Sequence, residues 1–288
     1  DGLILDLRNN GGGSLFEANA LANLFLGRGT TVQVKDSKGN IQRLGERWGY
    51  PLFDKPLLIL VNRLSASASE ILAGAIQDYD RGIIVGTPTF GKGTVQSVDV
   101  LSLGQIKYTE SKFYRISGSS TQNKGVYPDI IIPSVFDIDD IGESKLDMAL
   151  DHDNIPGINF RNRNRVSPYI NLIKERSENR VINSPLFKDL EAKKEWQKNN
   201  KTVYLDLNYD KRLRNKTKIE DSLLLMENKL RHELGLPTFG NYQNFLDRGE
   251  DSELLDIDLR VLDEASNILV DLIELKYKPQ IVSIEESL

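Results

Sequence analysis

The stretch LLILVNRLSASASEILAGAIQDYDRGIIV, from Leu57 to Val85, decides the fold. Its first five residues, 57–61, form an apolar run that is typical of a buried strand. Residues 65–78 then carry apolar side chains at helical spacing on one stripe. A second apolar run at 83–85 ends in a glycine. The order strand, helix, strand is the repeating unit of an α/β layer.

The same alternation continues on the N-terminal side of this stretch. Residues 2–7 (GLILDL) predict another buried strand. Ser14 and Glu17 have the spacing of a capping box, which predicts a helix that runs to about Leu26. Further strands are predicted at 31–34, 94–115 and 128–133. We therefore expect an α/β core with a mixed sheet and flanking helices.

The composition changes after residue 135. Residues 136–288 are richer in charge and show helical periodicity, most clearly over 218–234 and 259–277. We expect two domains, an α/β core over 1–135 and a mainly helical domain over 136–288. Residue 1 is an aspartate at the edge of a strand pattern, which predicts a piece of a longer chain with a core that is incomplete at its N-terminus.

The composition also excludes several classes of function. The net charge of −5 argues against nucleic acid as a general partner, and no apolar run approaches the roughly 20 residues of a membrane span. The chain has no cysteine, which excludes disulfides and thiolate catalysis. Its two histidines, His152 and His232, have no metal-ligand spacing, so we predict neither a metal nor a Ser-His-Asp triad.

Three serines at 65, 67 and 69 begin the predicted helix. A serine in the first turn lies near the positive end of the helix dipole, where developing negative charge is favoured. The small residues Ala66 and Ala68 leave room beside Ser67 for a substrate carbonyl. The structural alternative is that Ser65 only caps the helix. From the cluster alone, that alternative is favoured.

Lys92 follows Ser67 by 25 residues and has a glycine on each side. A lysine acts as a general base only when it is neutral, which requires burial to lower its pKa. Gln96 would share a face with Lys92 on a regular strand, and a buried amide there would orient the amine without adding charge. An isolated Gly-Lys-Gly would be read as a surface turn.

A second function can be assigned to the same segment. Residues Gly86–Lys92 match the phosphate-binding pattern G-x-x-x-x-G-K after a strand. Gly93 stands where a magnesium-binding Ser or Thr is needed, and a β-branched segment follows in place of a helix. Nucleotide binding at this segment is therefore the weaker hypothesis.

The glycine run Gly11–Gly13 follows the first predicted strand. Glycines permit close approach of the backbone, and their N–H groups can bind an oxyanion. Taken alone, the run predicts a strand-to-helix turn. Beside a serine nucleophile at the end of a neighbouring parallel strand, an oxyanion hole becomes the favoured hypothesis.

Together these segments resemble the C-terminal processing peptidases, and specifically the tail-specific proteases of bacterial periplasms. The resemblance is dense over 1–135 and continues more weakly through the helical region, which looks like the extension of the tail-specific subgroup. The matching stretches are 3–13, 61–70, 77–79, 86–96, 112–115 and 125–129.

The resemblance implies a serine endopeptidase with a mixed sheet of spiral ββα type and no cofactor. It assigns Ser67 as the nucleophile, Lys92 as the general base and Gln96 as the residue that orients the lysine. The implied oxyanion hole consists of the backbone N–H groups of Ala68 and Gly12. The implied substrates are periplasmic proteins that are recognised by nonpolar C-terminal tails.

Members of this family carry an N-terminal region and a PDZ domain before the segment that begins this chain. The resemblance therefore implies the PDZ domain of the full-length chain as a partner, an adaptor protein as a second partner, and a periplasmic location. The alternative of another class is a non-catalytic protein-binding module on the same fold. In such a module Lys92 would be exposed and too far from Ser67 for a hydrogen bond.

Overall fold

The computed structural model describes residues 1–134, 140–163, 165–201, 204, 206–247 and 255–285. The chain divides into two compact units, one of Asp1–Ser177 with Ala265–Leu288 and one of Glu178–Glu264. The domain boundary predicted between residues 135 and 136 lies outside the described residues and stays a prediction.

The strands are β1 Leu3–Asp6, β2 Gly29–Asp36, β3 Ile41–Glu46, β4 Leu57–Val61, β5 Ile83–Gly86, β6 Thr94–Leu101, β7 Gly104–Tyr114 and β8 Ile130–Ile131. The helices are α1 Leu15–Leu26, α2 Ala68–Asp78, α3 Ile170–Asn183, α4 Pro185–Asn199, α5 Tyr209–Glu233, α6 Tyr242–Leu246 and α7 Ile257–Glu285. The α/β class with a helical C-terminal region is confirmed.

The first sheet is parallel, with the strand order β1-β4-β5-β8. Every residue of β4 is buried, which explains its continuous apolar run, because a central parallel strand is covered on both faces. Helix α2 joins β4 to β5 and packs beside α1. The core between the helices and the sheet contains Leu26, Ile59, Leu72, Ile76 and Ile84.

The second sheet is antiparallel, with the order β3-β2-β7-β6. Parallel and antiparallel pairings are thus both present, and they lie in two separate sheets. Strand β3 was not expected from the sequence. It is an edge strand whose residues are almost all exposed, so it lacks the apolar alternation that marks a half-buried strand.

The unit Glu178–Glu264 is helical in its described part. Helices α4 and α5 contact each other, and Leu186, Phe187, Leu190 and Leu230 are buried. Lys193 pairs with Glu227 at 3.4 Å, and Arg180 donates to both carboxylate oxygens of Glu264, from Nε to Oε2 at 3.0 Å and from Nη2 to Oε1 at 2.9 Å. No helix among the described residues has the length and apolar character needed to span a membrane.

Candidate active site

Ser67 lies between β4 and α2 and is the N-cap of α2. Its backbone has φ +55° and ψ −110°, a strained conformation for a residue with a side chain. The helix begins at Ala68, whereas the sequence predicted residue 65. The suggestion that Ser65 caps the helix is therefore wrong, because the chain turns sharply at Ser67 and half-buries this residue at the start of the helix.

The two flanking serines hold the loop that follows β1. The Ser65 hydroxyl donates to the Leu7 carbonyl at 2.7 Å and accepts from the Asn62 N–H at 3.0 Å. The Ser69 hydroxyl donates to the Asn10 carbonyl at 3.0 Å. Both serines therefore join the end of β1 to the start of α2, and Ser67 is the member of the cluster between them.

Gly12 packs directly against the start of α2. It has φ +105°, and a Cβ added to it would lie 2.8 Å from the Ser67 Cβ and 3.0 Å from the Ala68 nitrogen. Only glycine fits here. The Gly12 N–H donates to the Asn10 Oδ1 at 2.9 Å. The Ala68 N–H occupies the first position of a helix, where it has no acceptor within the helix.

Lys92 lies in the loop before β6 and is half-buried. Its amine donates to the Thr94 carbonyl at 3.4 Å. Burial lowers the pKa of Lys92 below its ordinary value, and repulsion by Lys107 acts in the same direction, while Glu143 and Glu70 oppose it. The side chain therefore carries a larger neutral fraction than an exposed lysine.

Gln96 lies in β6 and is exposed. The pairing of β6 with β7 shifts register between Val95 and Gln96, and β6 begins only at Thr94, after Lys92. The regular strand that would place Lys92 and Gln96 on one face is therefore not present, and the expectation of a buried amide was wrong. The proposed role of Gln96 stays a prediction.

Glu70 connects the turn at Ser67 with the loop that carries Lys92. The sequence did not predict this role. This fully buried carboxylate accepts from Thr89 Oγ1 at 2.6 Å and from the Gly91 N–H at 2.7 Å through Oε1. Its Oε2 accepts from the Ser67 N–H at 2.8 Å and from the Lys92 N–H at 2.9 Å. Burial raises the pKa of Glu70 to about 7, and the four donors oppose this shift.

A signal for Glu70 exists in the sequence. Ser67 and Glu70 have the S-x-x-E spacing of a capping box, the pattern that correctly predicted Ser14 and Glu17 for α1. Glu70 also stands next to Ile71, where the apolar face of the helix begins, so the sequence indicates that its side chain is buried. A buried carboxylate needs hydrogen-bond donors, because an unpaired buried charge is costly.

Gln122 binds the C-terminal end of the loop that carries Lys92. Its side-chain oxygen accepts from the Gly93 N–H at 2.8 Å, and its amide donates to Glu143 Oε1 at 3.2 Å. Glu70 and Gln122 together thus bind the N–H groups of three consecutive residues, 91–93. In the described part of the chain, no group of three or more acidic or histidine side chains could hold a metal.

Comparison with known proteins gives matches over both halves of the chain. Residues 1–132 match peptidase family S41, and residues 136–274 match the C-terminal domain of tail specific protease. The tail-specific protease of Haemophilus influenzae is 42% identical over 225 residues, 74% of this chain and 32% of that protein. The carboxy-terminal-processing protease of Bartonella bacilliformis is 42% identical over 133 residues, 46% of this chain and 31% of that protein.

Among solved structures, a photosystem II D1 C-terminal processing protease is 40% identical, with a TM-score of 0.42, and the match covers 46% of this chain and 34% of that chain. The sequence matches place the chain in peptidase family S41. Within that family, it belongs to the C-terminal processing peptidases, in the tail-specific protease subgroup. The chain spans about a third of the length of the curated relatives it matches.

Proposed function

We propose that the chain contains the catalytic site of a serine endopeptidase with a Ser67–Lys92 dyad. The neutral Lys92 amine accepts the Ser67 proton as the hydroxyl attacks the peptide carbonyl. Lys92 then gives this proton to the leaving amine, which departs and leaves an acyl ester on Ser67. Water hydrolyses the ester and restores both groups.

The observation that carries this proposal is the carboxylate shared by the two residues. Oε2 of Glu70 accepts from the N–H of Ser67 at 2.8 Å and from that of Lys92 at 2.9 Å. The two backbone nitrogens are therefore at most 5.7 Å apart, the sum of these distances. This separation supports a nucleophile and a base that act on one substrate.

The pKa of Lys92 also supports its assignment as the base. A general base must be unprotonated near the working pH, and an exposed lysine is almost entirely charged there. Burial lowers the pKa of Lys92. We retain Gln96 as the orienting residue on family membership, and the Thr94 carbonyl is the acceptor that the amine has in this structure.

The proposed oxyanion hole uses the N–H groups of Ala68 and Gly12. The Ala68 N–H stands at the positive end of α2 and needs no rearrangement. The Gly12 N–H donates to the Asn10 side chain, so it serves an oxyanion only after Asn10 releases it. The positions of Gly12 and Ala68 against Ser67 support this pair of donors.

The substrates and partners follow from family membership. We propose protein substrates that are recognised by nonpolar C-terminal tails, with the PDZ domain of the full-length chain and an adaptor protein as partners. The proposed location is the periplasm, and the proposed reaction uses no metal or cofactor. The relatives named for tail-specific and carboxy-terminal processing activity support the substrate class.

Substitutions in the full-length parent protein test the dyad. Ser67→Ala and Lys92→Ala are each expected to abolish proteolysis and to leave the circular dichroism spectrum unchanged. The exposed Lys124→Ala serves as the matched control and should keep full activity. Proteolysis retained in either dyad variant would refute the assignment.

The two alternative functions, nucleotide binding at Gly86–Lys92 and a non-catalytic protein-binding module, have less support. Residues 94–101 after Lys92 form β6, so the segment lacks the helix N-terminus that a nucleotide phosphate requires. A non-catalytic module would leave Lys92 exposed and beyond hydrogen-bond reach of Ser67. Lys92 is half-buried, which disfavours this alternative, but its amine donates to the Thr94 carbonyl and not to the Ser67 hydroxyl, so the dyad requires a rotation of the lysine side chain. An ATP thermal-shift measurement tests the first alternative, and the substitutions above test the second.

A further inference from the structure

A large basic pocket lies at the opposite end of α2 from Ser67. Tyr79, the residue after the last residue of α2, lines this pocket, whereas Ser67 precedes the first. An 11-residue helix is about 16 Å long, so the pocket is separate from the candidate active site. Its volume is about 1030 Å³.

The lining of the pocket carries a strong excess of positive charge, in a chain whose net charge is −5. One carboxylate, Glu46, lines the pocket together with six arginines. Burial lowers the pKa of Arg163, and the positive charges of Arg165 and Arg28 lower it further. The six arginines are Arg28, Arg43, Arg47, Arg161, Arg163 and Arg165.

Three of these arginines make side-chain contacts within the fold, and one of them, Arg43, does so through a single long hydrogen bond to Gln33 Oε1 at 3.4 Å while the rest of its guanidinium stays exposed. Arg163 donates to the Leu26 carbonyl at the C-terminal end of α1, and Arg165 pairs with Asp54 at 2.6 Å. The other three arginines are exposed. Within the described residues, Arg28, Arg47 and Arg161 make no ion pair, so their charge is available to a ligand.

The lining of the pocket includes residues of β3, the edge strand of the second sheet, and of β2 beside it. Strand β3 contributes Arg43, Gly45 and Glu46 to the lining. One side of β3 pairs with β2, and the other side has no strand partner among the described residues. An edge strand presents unpaired N–H and C=O groups to which an extended peptide can bind as an additional strand.

The surroundings disfavour a compact phosphate. Arginines bind phosphate as well as carboxylate, but many phosphate sites also use backbone N–H groups at a helix N-terminus. Here α1 and α2 present their C-terminal ends, at Leu26 and Tyr79, where the carbonyls carry partial negative charge. The pocket volume of about 1030 Å³ is also far larger than a single phosphate needs.

We propose that this pocket binds an acidic protein segment in extended conformation. The segment pairs with the free edge of β3, and its carboxylates, spaced two residues apart, contact Arg28, Arg43 and Arg47. Arginine suits this task because its planar guanidinium binds a carboxylate through two hydrogen bonds. The exposed side chains of Trp48 and Tyr50 flank the carboxylates with apolar surface. This function uses none of the residues of the proposed dyad.

Fluorescence anisotropy with a labelled eight-residue peptide tests the proposal. The probe has Glu or Asp at alternate positions, and the chain carries Ser67→Ala so that the probe is not consumed. Replacing Arg28, Arg43 and Arg47 together by Gln should weaken binding about tenfold or more, because three ion pairs are lost. The control replaces the exposed Arg212, Arg214 and Lys218 of α5 by Gln and should bind like the parent.

Two further probes separate strand pairing from charge alone. Two peptides of the same sequence carry N-methyl groups on the odd-numbered or on the even-numbered backbone amides, and both keep all carboxylates. At least one of the two should bind about tenfold more weakly, because alternate N–H groups of a strand point toward its partner. Pyrophosphate should displace the probe no better than sodium chloride of equal ionic strength. No binding, equal binding by the two triple variants, insensitivity to methylation, or specific displacement by pyrophosphate would each overturn the proposal.

Discussion

Replacing Glu70 by glutamine tests whether the site needs both oxygens of this carboxylate as hydrogen-bond acceptors. Both oxygens of Glu70 accept two hydrogen bonds, from Thr89 and Gly91 at one and from Ser67 and Lys92 at the other. Glutamine has the same shape, but one oxygen becomes an NH₂ donor. In one orientation the NH₂ group faces the N–H groups of Ser67 and Lys92. In the other it faces the Gly91 N–H, whereas the Thr89 hydroxyl can rotate and accept from it.

The expected destabilisation follows from the one or two N–H groups that lose their acceptor. A buried polar group without a partner costs about 1–3 kcal/mol, so Glu70→Gln should lose about 1–6 kcal/mol of unfolding free energy at pH 8. A folded protein typically has only about 5–15 kcal/mol of unfolding free energy, so this loss is readily measured. Urea denaturation followed by circular dichroism measures the loss. Glu175→Gln, the same change at an exposed position of α3, should stay within about 0.5 kcal/mol of the parent.

The pH dependence adds a second readout. Burial raises the pKa of Glu70 from 4.5 to about 7, so the folded protein binds this proton more tightly than the unfolded chain does. The contribution of this group to unfolding free energy is therefore fully present below about pH 4.5 and is lost as the pH rises to about 7. The glutamine variant lacks this change, so the difference between the two proteins should widen as the pH is lowered.

Proteolysis by the full-length parent supplies the functional readout. If Glu70 positions Ser67 and Lys92, Glu70→Gln should lower kcat by at least about tenfold while KM changes little, since Glu70 is fully buried behind both residues. A variant that keeps the stability of the parent to within 0.5 kcal/mol and also keeps its kcat would refute this role.

The remaining predictions concern single groups of the site. The kcat/KM of the full-length parent should rise with pH as Lys92 loses its proton, because burial lowers the pKa of this base, and a flat profile from about pH 5 to 10 would argue against it. Gly12→Ala should destabilise the fold and abolish proteolysis, because its Cβ would lie 2.8 Å from that of Ser67, whereas Gly13→Ala, with no atom within 4 Å, should do neither. Ser65→Ala should cost about 1–3 kcal/mol in urea denaturation, because its hydroxyl bridges two buried backbone groups, and an unchanged midpoint would contradict that.

The core elements of the fold could be predicted because their signals are local. The apolar run of β4 gives its bounds, and the capping box of Ser14 and Glu17 gives the start of α1, which ends at the predicted Leu26. Strand β3 was missed because its register is set by pairing with β2, and its exposed side chains leave no periodic pattern.

The geometry of the candidate site was less accessible from the sequence. The positive φ of Ser67 arises because the chain must turn between β4 and α2 while Glu70 holds its N–H. The register shift beside Gln96 depends on the pairing of two strands, and no residue type marks it. Local patterns thus point to candidate residues such as Ser67 and Lys92, whereas the non-local hydrogen bonds of Glu70 and Gln122, which connect the two loops, are visible only in the fold.

Labelling with a fluorophosphonate, which reacts with activated serine hydroxyls, tests the dyad most directly. The full-length parent is labelled, digested and mapped by mass spectrometry, alongside Lys92→Ala and the control Lys124→Ala. The dyad predicts one adduct, on Ser67, that is retained in the control and lost in Lys92→Ala. An adduct on Ser65 or Ser69, or equal labelling of Ser67 without Lys92, would contradict the assignment of nucleophile and base.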